Sequence, residues 1–161
     1  MSWLGSVFGN GEKKLPKSIS DVNFQREVKQ YRGAVLVDVW GPGCGPCEKL
    51  APIMEELSTE YHGRVKVCEL NAATAPRSAS AMGVRGTPTV VAFKDGAEIG
   101  RIVGWKPKSY WKELIETEFA DYVSGAIQPQ EATRPKSADV GRKLNTKAAK
   151  KAAKKSRRVV G

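Results

Sequence analysis

Cys44-Gly45-Pro46-Cys47 holds two thiols three residues apart, at the point where an apolar run, Val35-Leu36-Val37-Asp38-Val39-Trp40, gives way to a helical pattern. The first residues of a helix carry unpaired backbone N–H groups and the positive end of the helix dipole, so a thiol placed there is favoured as thiolate. Such a placement brings a cysteine from roughly 8.5 down to roughly 3.5 to 7.5, within reach of neutral pH. The first thiol can then attack a disulfide, and the second, one turn later, can resolve the mixed disulfide and release the reduced partner. Pro46 presets a helix-starting φ and brings no N–H of its own, which lets Cys44 cap the helix while limiting the hydrogen bonds its sulfur receives. Asp38, a carboxylate inside an apolar strand just upstream, needs a reason to be there. Either it is a proton acceptor of raised pKa serving Cys47, or it sits at an exposed strand end or bonds to nearby backbone.

The elements that must hold these residues follow from hydrophobic period and breaker residues. Ser20 as N-cap, Asp21 in the first turn and the apolar face Phe24, Val28 and Tyr31 predict a helix to about Tyr31. Ala34 to Trp40 reads as a buried strand. Leu50, Ile53, Met54, Leu57 and Tyr61 keep helical spacing from Pro46 onward, with a kink expected at Pro52 and an end at His62-Gly63. His62, the only histidine, belongs to that helix end. Val65 to Leu70 predicts a second buried strand, in which Cys68 is a small buried hydrophobe. Residues 73 to 82 form a weakly patterned, alanine-rich helix ending at Gly83. Thr89 to Lys94, Asp95-Gly96 and Glu98 to Val103 predict a hairpin with a type I′ turn. A last amphipathic helix after Pro107 turns Trp111, Leu114, Ile115, Phe119, Tyr122 and Val123 inward. Strands alternating with helices and closing on a hairpin imply an α/β fold with its chemistry at the strand ends. Thr87-Pro88, entering the hairpin, is either an ordinary strand-entry proline or a cis-proline presenting its neighbour's backbone to a peptide.

Composition narrows the function. The chain has 161 residues, room for one ordinary domain and appendages. Residues 1 to 124 hold 16 Lys/Arg against 15 Asp/Glu, and residues 125 to 161 hold 11 against 2, so nine of the ten net positive charges belong to the tail. Three cysteines make no disulfide framework, and one C-x-x-C with a single histidine lacks the four ligands of a zinc site. The reading calls for no metal and no cofactor. No run approaches the length of a membrane span, and residues 1 to 9 lack the basic start and apolar core of a secretory signal, so a cytoplasmic, reducing compartment is expected.

These segments, in this order and spacing, resemble the thioredoxin family from roughly Ser18 to Val123. The resemblance rests on Val35-Leu36-Val37-Asp38, Cys44-Gly45-Pro46-Cys47, Ala51-Pro52, Val84-Arg85-Gly86-Thr87-Pro88-Thr89, Phe93-Lys94-Asp95-Gly96 and Val103-Gly104. It implies a thioredoxin fold, a central mixed sheet flanked by helices, and dithiol–disulfide exchange with protein substrates. It implies Cys44 as nucleophile, Cys47 as resolving thiol, Asp38 as buried proton acceptor, Pro88 as a cis-proline opposite the disulfide and Thr87 as a source of backbone hydrogen bonds to a bound peptide. Gly45 and Pro46 support the site. Electrons would come from a thioredoxin reductase or an equivalent donor. Two positions depart from the family: Gly43 stands where a tryptophan is usual, and Glu69 where a buried lysine is common. The first removes an apolar contact beside the dithiol; the second would push Asp38 further up.

The predicted organisation is an N-terminal arm (1 to 17), a thioredoxin-like domain (18 to 124) and a flexible Lys/Ala-rich basic tail (125 to 161). Trp3, Leu4, Val7 and Phe8 of the arm would share one side of a short helix, either an anchor or an apolar arm. Residues 142 to 158 read either as a nonspecific, salt-dependent polyanion contact, to nucleic acid or an acidic membrane surface, or as a solubilising run. The alternative function is accordingly a thioredoxin-fold binding module, or an isomerase-like variant, carried to a polyanion by its tail.

Overall fold

The computed structural model describes residues 12–132. The N-terminal arm to residue 11 and the basic tail from residue 133, including 142 to 158, lie outside the described residues. Five strands form one mixed sheet in the order β1-β3-β2-β4-β5: β1 (Lys17–Ile19), β2 (Ala34–Trp40), β3 (Val65–Asn71), β4 (Thr89–Lys94) and β5 (Ala97–Val103). β1 and β2 run parallel to β3, and β4 lies antiparallel to β2 and β5. The central strand β2 is buried except at Trp40, as its unbroken apolar run requires.

Helices cover both faces. Alternation along β2 sends Ala34 and Leu36 toward α1 (Gly45–Glu60), α3 (Lys108–Glu118) and α4 (Ala120–Val123), where they join Leu50, Met54, Trp111 and Phe119 in one core. Val35, Val37 and Val39 face the opposite way, against Phe24, Val28, Ala79 and Met82. Asp38 shares the parity of Leu36, so its carboxyl lies on the α1 side of the sheet. The hairpin turn is as expected, with Asp95 at φ 53° and Gly96 at φ 83°. A Cβ on Gly96 would collide with the carbonyl oxygen of Lys29, so the position demands glycine on two counts.

Three features differ from the sequence expectation. First, residues 20 to 31 do not form one α-helix. A turn leads into a π-helical segment, Gln25–Lys29, in which Gln30 N–H donates to the Gln25 carbonyl. Asp21 does not serve its own helix: its carboxylate accepts from Ser78 N–H and Ser78 Oγ, both at 2.7 Å, and so caps α2 (Pro76–Ala81). Burial of Phe24, Val28 and Tyr31 nonetheless follows the pattern, and Glu27 joins them, bonded to Arg26 and Lys66. Second, Lys17–Ile19 forms β1, three residues too short to show a period, paired to β3. Third, Gln130 and Glu131, past the expected domain end, are held against the domain. Gln130 exchanges two backbone hydrogen bonds with Arg32, and Glu131 pairs with Lys66.

Candidate active site

The site is assembled where β2 ends. The chain leaves Trp40 through Gly41-Pro42-Gly43 and enters α1 with Cys44 as N-cap, at φ −101° and ψ 97°. Cys44 Sγ accepts from Cys47 N–H at 3.3 Å, satisfying one of the helix's free donors with sulfur. In the dithiol state that N–H and the helix dipole act on a developing thiolate. Cys44 and Cys47 are joined as a disulfide, with Cys47 buried and Cys44 partly exposed, so the two sulfurs differ in access. Gly43 takes φ +69° with open space where a side chain would stand. A tryptophan there would meet backbone strain rather than steric obstruction.

Asp38 is 4% exposed, and its Oδ1 has no hydrogen-bond partner. Burial pushes the carboxyl up to about 7, and Glu69 adds to the rise. The strand register puts Asp38 opposite Glu69 on β3. A cavity of about 250 Å³ joins these groups, lined by Asp38, Glu69, Gly43, Cys44 and Cys47. Of the alternatives open for Asp38, an exposed strand end and a backbone-bonded carboxylate both disagree with this geometry. Glu69 acts in the direction expected from its charge: replacing it with lysine, Glu69→Lys, should bring the Asp38 midpoint below its parent value. The Asp38 carboxyl stretch, followed by infrared titration, measures this; an unmoved midpoint would show that Glu69 has no influence.

Thr87-Pro88 is a cis peptide bond. The loop is fixed by Thr89 Oγ1 donating to the Gly86 carbonyl at 2.7 Å and by Gly104 N–H donating to the Pro88 carbonyl at 2.8 Å. It abuts the dithiol loop, since a Cβ on Gly41 would lie 3.6 Å from Thr87 Oγ1. The structure thus brings together Asp38, Cys44, Gly45, Pro46, Cys47, Thr87 and Pro88. Cys68 is fully buried within the core and burial pushes its thiol up to about 12, so it stays a protonated apolar filler. His62 is exposed just past the end of α1.

A helix-start dithiol, a buried carboxyl sharing its cavity and a cis-proline loop beside it form an arrangement suited to disulfide exchange. The family model described as Thioredoxin matches residues 16–117. The chain belongs to the thioredoxin family. It is 41% identical over 98 residues to a thioredoxin of Synechocystis, covering 61% of this chain and 92% of that one. Thioredoxin 1 of a Nostoc species is 38% identical with the same coverage of both chains. The chloroplastic M-type thioredoxin of Pisum sativum is 39% identical, over 61% of this chain and 57% of its own length. The protein is a thiol–disulfide oxidoreductase of the thioredoxin kind, a protein-disulfide reductase whose substrates are protein disulfides. Among the described residues, no helix is long and apolar enough to cross a membrane.

Sequence reasoning passed over several residues that shape the cavity: Pro16, Trp40, Glu48, Ala51, Met54 and Glu55. Four of these were recoverable. Positions 47, 48, 51, 54 and 55 follow helical spacing, so one face of α1 looks into the cavity once Cys47 does. Pro16 carried no such signal, because its place depends on the pairing of β1 with β3.

Proposed function

We propose that this thioredoxin reduces protein disulfides with Cys44 as nucleophile, Cys47 as resolving thiol and Asp38 as proton acceptor. The observation that carries the assignment is the shared cavity: both sulfurs and a buried carboxyl with an unpartnered oxygen line one space. The Cys44 thiolate attacks one sulfur of the substrate disulfide, and the other leaves as a thiolate and takes a proton from water. Asp38, ionised above about 7, takes the Cys47 proton; Cys47 then attacks Cys44 Sγ and expels the second substrate thiol. Two electrons pass to the substrate, and the chain is left with the Cys44–Cys47 disulfide.

Gly45 and Pro46 hold the helix start, and the Thr87 backbone pairs with the substrate segment beside Pro88. A thioredoxin reductase, or an equivalent dithiol donor, restores the reduced pair, and a reducing cytoplasm is the compartment that suits this direction of transfer. The polyanion reading of residues 142 to 158 rests on their charge alone and is secondary to the reductase reading.

The test is the fraction of Cys44–Cys47 disulfide across glutathione redox buffers, read by alkylation and peptide mass spectrometry. A midpoint well on the reducing side of glutathione is expected. A midpoint at glutathione's own potential would overturn the reductant assignment in favour of isomerase-like work.

A further inference from the structure

Four carboxylates face the cavity beside the dithiol, those of Asp38, Glu48, Glu55 and Glu69, and among the described residues no lysine, arginine or histidine lines it. A group of acids is ordinarily no more than a solvated face. Two observations set this one apart. Asp38 is sealed in, 4% exposed, and its Oδ1 borders the cavity with no hydrogen-bond donor. A buried acceptor left unpaired costs free energy, and a donor entering the cavity would remove that cost. The other three acids differ in whether they are already engaged. Glu55 pairs with Lys13, whereas among the described residues neither Glu48 nor Glu69 meets a cation within salt-bridge reach.

The walls between the acids are apolar: Trp40 from the end of β2, and Ala51 and Met54 from α1. An apolar sleeve that ends in carboxylates matches lysine or arginine, whose methylene stem buries against apolar surface while the charged head bonds to acids. At about 250 Å³ the cavity has room for one such side chain. Strand register sets Glu69 beside Asp38 on the same side of the sheet, and helical spacing sets Glu48 one turn before Ala51. Cys44 lines the same cavity, and next to it a Cβ on Gly43 would have nothing within 4 Å, so no side chain closes the approach from the reacting sulfur.

We propose that this cavity is a binding site for a lysine or arginine side chain of the substrate polypeptide, with Glu69 and Glu48 as its specificity-determining acids and Asp38 Oδ1 at its floor. The proposal rests on the dithiol reading above, since attack by Cys44 is what brings the substrate chain to this cavity. A cation seated there also favours the ionised form of Asp38, which has to accept the Cys47 proton. A substrate with a suitably placed basic residue therefore binds better and brings forward its own release.

The test uses the full chain, reduced beforehand, and symmetric disulfides of short Ser/Gly peptides with one cysteine in each half. The peptide disulfide takes two electrons from the Cys44/Cys47 dithiol and leaves as two thiols, so the second-order rate of chain oxidation reads the reaction directly. A lysine is moved through the positions on either side of the cysteine, with norleucine as the uncharged control. At one position the lysine peptide should react about tenfold faster than its norleucine counterpart, the scale of one charge-assisted hydrogen bond. In Glu69→Gln that ratio should fall to near unity, and in Glu69→Lys it should invert. Glu48→Gln, at an exposed position of α1, should lower it about threefold, the scale of an exposed ion pair. An unchanged ratio in Glu69→Gln, or in Glu48→Gln should the first variant not fold, would overturn the proposal alone. So would a lysine advantage spread evenly over all positions, which long-range attraction would give, or one rate for every peptide. A parent chain that reduces no peptide would overturn it together with the dithiol reading.

Discussion

Cys44→Ser is expected to lower disulfide-reducing turnover by more than about 10³-fold, because a serine hydroxyl at neutral pH is neither ionised nor capable of forming the mixed disulfide. Cys47→Ser should fail differently. Its Cys44 still opens the substrate disulfide, but no second thiol exists to resolve the adduct, so reduction stops after one event per chain. Mass spectrometry distinguishes the two: Cys47→Ser accumulates a substrate adduct on the Cys44 peptide, and Cys44→Ser accumulates none on either position. The asymmetry follows from access, since Cys44 is partly exposed and Cys47 buried. An adduct on Cys47 in the Cys44→Ser chain, at the rate seen for Cys44 in the other variant, would reverse the assignment of nucleophile.

Asp38→Asn should change both stability and its pH dependence. Burial raises the Asp38 carboxyl from its ordinary value of 3.8 to about 7 in the fold. At pH below both values the group is protonated in folded and unfolded chains alike and contributes no difference. Between them the folded chain keeps a proton that the unfolded chain has released, so stability falls as pH rises. Above about 7 the full cost of a buried charge is present, about 4 kcal/mol for a shift of this size. Asparagine keeps the shape and never ionises, and any unpaired amide hydrogen it brings adds a constant offset independent of pH. The variant's stability relative to the parent should therefore increase by about 4 kcal/mol between pH values of roughly 4 and 8. Urea unfolding of the oxidised chains at a series of pH values checks this. A flat difference would mean that Asp38 is not the group titrating in the cavity. The same variant should resolve mixed disulfides slowly, since Cys47 loses its proton acceptor.

What was legible in the sequence was local. The dithiol at a helix start, the apolar β2 with one carboxylate in it and the Asp-Gly turn each carry their signal within a few residues, and all three stand in the structure as expected. What was not legible depends on distant partners. Asp21 reads as a first-turn acid of the helix that follows Ser20, and only the packing of α2 shows that its carboxylate accepts from Ser78 instead. β1 has three residues and exists because β3 offers an edge. Glu27, Lys66 and Glu131 form one ion-pair group drawn from far-separated parts of the chain, and no window of sequence contains it. At the site, residues on α1 that line the cavity were readable from helical spacing, while the place of Pro16 required the pairing of β1 with β3 to be seen.

The backbone bridge between Arg32 and Gln130 also fixes Gln130 beside the start of β2. Arg32 lies just before the first residue of β2 and the dithiol just after its last; seven strand residues at about 3.3 Å each put roughly 20 Å between them. Moored through Gln130, whether to a bead, an electrode or a larger assembly, the domain would be held from behind. Its reactive pole would then point outward, and a tether at this position need not shade the surface that protein disulfides must reach.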